Sequence, residues 1–461
     1  MQSPSESRRL HPAAIAVWFI GDAGRVVLGL VPVAIARREL VLVAVGVVVL
    51  LLVFEAFRWL RFSYRIEGAT LVVEGGLLSR YRRALPFARI QSVDVVEKLR
   101  HRALGVVELR VETAGGSETE GSLVALKQHE VDWLRPLLLG EDEAQQSTPP
   151  APPLVALRPG DLVVAALTGG RVAVAAIAFG YAQQVLGEDL FDSLAQRAES
   201  ALRSALLLTA IAVISVIVLV LALSVAATTL VYWNFTVRRQ GTRLVVERGL
   251  LERRRATVPL TRVQAVQLNE NLLRRLLGKA SLSVVTAGYS PRGDEREETS
   301  MLLPIGDRAQ ALWLAGLALD FPAPPDPRLE RAPNALQRRV GEMLVLAVPL
   351  IGAALLNAGA WGLLSLVLLG PLGMIGWLSY LGLGFQLAPD YVAVRTGVFN
   401  RRTTIVPRSN VQHLMLTRGP VQRALGLATL RVGIPKAKPR ASDVERSWAD
   451  RTLAELYRAP L

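Results

Sequence analysis

The sequence predicts membrane-spanning α-helical hairpins alternating with three copies of one small domain, a strongly bent antiparallel sheet or barrel capped by a C-terminal helix. Three observations predict it: a phrase that recurs in register, a period of two within that phrase, and long apolar runs between its copies. Residues 75–91 read GGLLSRYRRALPFARIQ, residues 248–264 read RGLLERRRATVPLTRVQ, and residues 396–412 read TGVFNRRTTIVPRSNVQ. The first two copies align without a gap from Phe62 to Gly115 and from Phe235 to Gly288, at a constant offset of 173. The third begins at Phe385, loses two residues in its first strand, and then holds an offset of 148 from the second. Register of that kind marks one structural unit used three times.

Within a copy, LVVEGGLLSRYRRALP alternates large apolar and charged residues around Gly75 and Gly76, the pattern of a hairpin with a positive-φ turn residue. IQSVDVVEKL and VELRVETA read as further half-buried strands. Pro86, Pro259 and Pro407 fall where a strand bends or begins at an edge. Gly105, Gly278 and Gly426 reverse the chain after a short basic stretch, and helical patterns (QHEVDWLRPLLL, GDRAQALWLAGLAL, SWADRTLAELY) close the copies.

The remainder is apolar and clumped. The chain is 51% hydrophobic, with no cysteine and a mean hydropathy of +0.35. Segments 40–57 and 205–233 are long enough to cross a hydrocarbon core of about 30 Å. The stretch Met343 to Phe385 is about twice a spanning length, which predicts two helices broken near Asn357–Gly362. Segments 13–36 and 162–186 are weaker candidates, and six spans in three hairpins is the simplest count. The polar, basic N-terminus carries no cleavage pattern, so the first helix is expected to stay in the membrane. STPPAPP (147–153) and FPAPPDP (321–327) read as extended spacers.

Orientation follows from basic residues in short loops. The net charge is +14, and the second copy alone holds Arg238, Arg239, Arg243, Arg248, Arg253, Arg254 and Arg255. The loop at 187–204 is acidic, with Glu188, Asp189, Asp192 and Glu199, and the loop of the third hairpin is uncharged. The N-terminus and all three copies are therefore expected in the cytoplasm; Arg37-Arg38-Glu39, at the tip of the first hairpin, is the exception.

A membrane hairpin followed by GLLxR, Pro, RIQxV, RxLG and TAG resembles the bacterial membrane-flanked PH-like family of the YdbS/YdbT type, and three copies are similar to its longer, YdbT-like members. The match rests on Gly76/Gly249, Pro86/Pro259, Arg89/Arg262, Gln91/Gln264, Leu104-Gly105/Leu277-Gly278 and Thr113-Ala114-Gly115/Thr286-Ala287-Gly288. The third copy departs, with Asn410 in place of the arginine and Ile434-Pro435-Lys436 in place of Thr-Ala-Gly. The resemblance implies PH-like domains at 62–140, 235–320 and 385–461, the last divergent and shortened. Hairpins at 1–61, 161–234 and 343–384 and linkers at 141–160 and 321–342 complete the chain. It implies a multi-pass protein of the bacterial inner membrane and supplies no reaction.

Catalytic constellations are scarce. Without cysteine there is no thiol catalysis, Cys-metal site or disulfide. His11, His101, His129 and His413 stand apart and read as structural or surface residues, and no cofactor or metal is expected. Gly370, Gly373, Gly376, Ser379 and Gly382 recur every third residue, a small-residue stripe for close helix packing. Two groups remain as candidate sites. Alternation puts Arg80 and Arg82 on one strand face and Arg253 and Arg255 on another, with Arg401 matching Arg80 and Arg253. At the cytoplasmic leaflet anionic lipid attracts each such residue by about 1 kcal/mol, whereas the bland reading is solubility and topology. The second group is Asp22, Arg25 and Arg171 inside apolar segments, read either as a transport or channel site or as a local pair and a snorkelling arginine. Arg102, Arg275 and Arg423 precede each Leu-Gly turn, either facing lipid or bracing the turn. The expected function is a non-catalytic lipid- or protein-binding scaffold of the cell envelope. Its expected partners are membrane lipids with anionic headgroups, and a membrane protein or a second copy, without nucleic acid.

Overall fold

The computed structural model describes residues 7–24, 26, 29, 41–77, 79–113, 121–140, 152–169, 202–286, 301–322, 325, 327–435 and 438–458. The chain divides into two compact units, Met1–Pro259 with Gly288–Arg292, and Leu260–Ala287 with Gly293–Leu461.

In the first unit, α1 (Ala13–Trp18) runs into a π-helical turn (Phe19–Ala23), and the apolar α2 (Val41–Arg61) leads directly into the first domain. That domain comprises β1 (Ser63–Glu67), β2 (Thr70–Gly75), β3 (Tyr81–Pro86), β4 (Ile90–Glu97), the one-turn helix α3 (Leu99–Ala103), β5 (Val107–Thr113), β6 (Gly121–Leu126) and α4 (Gln128–Leu139). Then come β7 (Val155–Ala156), α5 (Pro159–Thr168), the long α6 (Leu202–Tyr232), β8 (Thr236–Gln240), β9 (Arg243–Arg248) and β10 (Arg253–Pro259). The second unit holds β11 (Val263–Asn271), α7 (Leu272–Leu276), β12 (Lys279–Thr286), β13 (Met301–Asp307) and α8 (Arg308–Ala318). It continues through α9 (Asn334–Ala358), a 3-10 segment (Gly359–Leu368), α10 (Leu369–Leu381), β14 (Gly384–Leu387), β15 (Tyr391–Thr396) and β16 (Asn400–Pro407). It ends in β17 (His413–Thr417), α11 (Pro420–Ala424), β18 (Leu427–Gly433), β19 (Arg440–Glu445) and α12 (Arg446–Arg458).

Each repeat is thus two three-stranded halves and a closing helix; among the described residues no barrel closes. The proline at the end of β3 and of β10 has no N–H to extend its ladder, and a 3-10 turn follows each, Phe87–Arg89 and Leu260–Arg262. The prolines therefore end strands rather than begin them. In the first repeat the halves bury one core: Leu71 and Leu85 meet Val93, Leu109 and Leu123, and Leu134 of α4 caps them. In the third, Phe385, Val392 and Val406 pack with Leu430, Val432 and Ala449, and the Phe385 ring lies 4.1 Å from that of Trp448.

The strand order holds the main finding. The sheets read β1-β2-β3, β6-β5-β4-β10-β9-β8-β7, β13-β12-β11-β16-β15-β14 and β17-β18-β19. The second halves of the first and second repeats each pair with the first half of the next, not with their own first half. Both seams use one register: Glu97 faces Arg253 in the first unit, and the equivalent Glu270 faces Arg401 in the second. The opposite edge of each first half is met by the chain preceding its membrane helices, through Arg8 on Tyr64, Val155 on Val237 and Glu330 on Phe385. The segments read as spacers therefore also cover strand edges.

Four described helices are long and apolar enough to span: Val41–Arg61, Ile214–Tyr232, Asn334–Asn357 and Leu363–Leu381. The third hairpin breaks over Gly359–Leu368, at the point the sequence indicates. Its first helix starts nine residues earlier than Met343, because Arg338 and Arg339 both reach the buried carboxylate of Asp443, the latter at 2.6 Å. Of the weaker spans, 13–36 begins inside the domain: Ala14, Val17 and Trp18 are buried in the core of the first repeat. Arg58 binds α1 to α2, lying 4.2 Å over the Trp18 ring and 3.3 Å from Glu55. Residues 30–40 and 170–201 lie outside the described residues. In the glycine stripe, a Cβ at Gly376 would sit 2.7 Å from the Val340 backbone, so α9 and α10 cross closely there, whereas Gly370 and Gly373 meet nothing within 4 Å.

The turn glycines carry the hairpins. Gly76, Gly249 and Gly397 have φ of 99°, 104° and 97°, and a Cβ at Gly249 would approach the Glu252 carbonyl oxygen to 1.9 Å. Gly249→Ala is expected to cost about 1–3 kcal/mol and to lower the thermal midpoint of the detergent-solubilised chain. Gly352→Ala, in a helix with nothing within 4 Å, should leave the midpoint unchanged or raise it.

Candidate functional site

The last turn of a helix leaves carbonyls without amide partners. At the end of α6 the hairpin between β9 and β10 folds back to supply them: Gly249 N–H donates to Trp233 O at 2.8 Å, and Leu250 N–H to Leu230 O at 2.9 Å. At the end of α10 the equivalent hairpin approaches so closely that a Cβ on Gly382 would lie 2.3 Å from Gly397 O. There Arg401 Nη2 donates to Leu381 O at 3.5 Å. Each hairpin tip is thus docked on the end of a helix long enough to cross the membrane.

The tips are amphipathic. After the glycine come Leu250-Leu251 and Val398-Phe399, of which Leu251 and Phe399 are 42% and 58% exposed, followed by Arg253 and Arg401. Beside each tip lies the one-turn helix of the preceding repeat. Arg102 of α3 donates to Leu250 O at 3.2 Å, with Leu99 exposed next to it. In the second unit α7 exposes Leu273, Leu276 and Leu277, with Leu276 at 83%. Burial holds the Arg401 guanidinium below the usual range, and the nearby charges of Arg275 and Arg331 push the same way. Two patches of apolar and cationic side chains result, one at each seam.

The arginines singled out by alternation divide between two environments. Arg80 is exposed beside β3, and Arg253 opens β10 opposite Glu97. Arg82 is engaged on its own sheet face, 3.1 Å from Glu67 and 3.4 Å from Glu74, and Arg255 lies 3.2 Å from Glu247. Arg102 braces the next repeat's tip rather than its own turn. Asn410, the departure from the pattern, donates from Nδ2 to Val263 O and Gln264 O, both at 3.2 Å, and so holds the start of β11. Asp22 lies in the π-helical turn, while Arg25 and Arg171 are outside the described residues. His101 is fully buried, and its Nδ1 accepts from Lys98 N–H at 3.2 Å to start α3. Among the described residues no group of three or more His, Asp or Glu gathers as a metal site.

A family model, bacterial PH domain, matches residues 21–141, 199–315 and 343–459. The chain belongs to the bacterial PH domain family. It is also 26% identical over 469 residues to the transmembrane protein YdbT of Bacillus subtilis (strain 168), covering 93% of this chain and 93% of that protein. Each matched segment includes spanning-helix residues together with its PH domain, so the repeated unit is helix and domain. The chain is a transmembrane protein with three PH domains.

At the seam between the first two PH domains a buried carboxyl lies away from the membrane helices. Asp94 on β4 is 8% exposed, and burial pushes its carboxyl up to about 6 against the pull of the Thr257 backbone, Arg254, Arg110 and Arg135. Arg135 Nη2 also donates to Thr257 Oγ1 at 2.7 Å across the same seam. A carboxyl whose folded pKa exceeds its unfolded value of about 3.9 binds its proton more tightly when folded. Its stabilisation is full below the unfolded value and is lost as pH rises through about 6. Asp94→Asn keeps the neutral form at every pH. The variant's thermal midpoint relative to wild type is therefore expected to rise between about pH 4 and about pH 7, measured in detergent.

Proposed function

We propose that this protein is a non-catalytic scaffold of the bacterial inner membrane whose three PH domains lie on the cytoplasmic face and hold anionic headgroups at their helix-docked tips. The observation that carries the reading is the tip itself. It sets exposed apolar side chains and an arginine against the last turn of a helix long enough to span, and the end of such a helix is where hydrocarbon is expected to give way to phosphate. Apolar side chains entering the acyl boundary and guanidinium on phosphate are the two terms by which peripheral elements hold a membrane surface. Arg253 and Arg401 occupy the same ladder position in two repeats, and Arg80, beside β3, is their sequence equivalent in the first. Arg82 and Arg255 serve the sheet surface instead, each in an ion pair with a glutamate of its own half-sheet. The Bacillus relative's description as a transmembrane protein agrees with this setting. Basic domains and an acidic 187–204 loop support the cytoplasmic orientation.

Phosphatidylglycerol titrated onto the detergent-solubilised full chain, read by native mass spectrometry, tests the headgroup. Each reversal of an arginine removes one attraction and adds one repulsion, each on the order of 1 kcal/mol. Arg253→Glu with Arg401→Glu is expected to weaken binding about tenfold or more, while Arg82→Glu has less effect. Equal binding by wild type and the double variant would overturn the headgroup role.

Orientation has its own test in this cysteine-free chain. An impermeant thiol reagent applied to intact spheroplasts should label Ser193→Cys, in the acidic loop, and spare Ala88→Cys, exposed on the first PH domain. Labelling of Ala88→Cys from outside would reverse the arrangement.

A further inference from the structure

The two seams leave one strand of the same kind without a neighbour. β10 and β16 each pair with the second half of the repeat before them, but β3 belongs to the first repeat and ends its sheet. Exposure records the difference. Thr257 and Ile405, at equivalent positions of β10 and β16, are 1% and 0% exposed, whereas Ala84 in β3 is exposed. β3 is also a regular ladder, paired with β2 from Thr70↔Pro86 to Gly75↔Tyr81 without a shift. The outer strands β6, β13 and β19 each carry register shifts, the irregularity that protects an edge. The β3 edge has no such protection among the described residues.

The charge rule of the seams says what fits. A glutamate faces the arginine at the start of the strand in both, Glu97↔Arg253 and Glu270↔Arg401. Val266 faces Ile405 four positions on. Transferred to β3, the register demands a carboxylate opposite Arg80 and an apolar residue opposite Ala84. The chain's own unpaired counterpart, β17, would bring Leu414 opposite Ala84 but Arg418 opposite Arg80. Like charges directly opposite in an antiparallel pair are destabilising, so pairing with a second copy is disfavoured at that position.

We propose that the open edge of β3 is a docking edge for a different PH-like chain, one that adds an antiparallel strand with an Asp or Glu opposite Arg80. Self-assembly through β17 is disfavoured by Arg418 opposite Arg80. The addition is the same main-chain pairing that joins the repeats internally.

The full chain supplies its own surrogate partner. Ala84→Cys in one preparation and Leu414→Cys in another are mixed in detergent and treated with a short thiol cross-linker. With Arg80 and Arg418 intact, little cross-linked product is expected. Adding Arg418→Glu to the second chain restores the Glu–Arg pair and should raise the product about tenfold. Placing Arg80→Glu on the first chain instead, against the native Arg418, should raise it equally; both changes together should abolish it. That arm also guards against local disturbance by Arg418→Glu, since Arg418 Nε donates to Leu427 O. Strong product with both arginines intact would make a second copy the occupant and overturn the proposal. Absence of product in both single-reversal arms would show that the edge accepts no strand, and would overturn it too.

Discussion

A three-stranded sheet has two edges, and each edge strand carries a row of amide and carbonyl groups that must find partners. The PH domains here are built from such half-sheets, and the architecture follows from how those edges are covered. One edge of every first half receives the chain that precedes its membrane helices, at Tyr64, Val237 and Phe385. The other edge is offered to the preceding repeat. Consequently the contact boundary between the two units falls at Pro259–Leu260, inside the second repeat, and not at the Pro-rich linkers. The linkers separate sequence; the seams join structure.

The second organising contact lies where membrane meets domain. Helix ends in lipid cannot leave carbonyls bare, and the hairpin tips supply N–H groups to Leu230 and Trp233 and a guanidinium to Leu381. A positive-φ glycine at each tip is what lets the backbone turn closely enough. The same need for a satisfied boundary explains Asp443, a fully buried carboxylate that accepts from Arg338, Arg339 and Gln422. Removing one partner of such a cluster strands a charge, so the entry of α9 is tied firmly to the third PH domain.

Much of this was legible in the sequence, and the rest was hidden for definite reasons. Offsets of 173 and 148 marked the repeats, the turn glycines were identified as such, and apolar length located the four long helices and the break at Gly359. The period-two pattern gave the strands but not their partners, because alternation reports which face of a strand is buried and says nothing about which edge is paired. Glu97 and Glu270 look like ordinary surface acids until each is seen opposite an arginine. The one-turn helices at LRHRA and LLRRL are too short for helical periodicity to register. Residues 13–18 resembled the start of a span because burial in a protein core and burial in lipid select the same side chains. Arg338 and Arg339 fell in the segment 321–342 read as a linker and lie inside a helix. Alternation also grouped Arg82 with Arg80 and Arg255 with Arg253; only the neighbouring strands show that the members of each pair meet different surroundings.

Serial half-sheet exchange makes the molecule a short array, and arrays have ends that differ from their middles. At the two seams an arginine at the start of the strand lies opposite the glutamate of the preceding repeat, so one residue type marks both strand pairing and hairpin tip. At the two ends that link is cut in opposite ways. The first repeat keeps the arginine, Arg80, without the acid; the last replaces the acid with Arg418. Had either end kept the complementary charge, every chain would match the next, and head-to-tail contacts of that kind generate rings or open filaments. Cations at both open half-sheets leave the internal seams intact and disfavour pairing between copies.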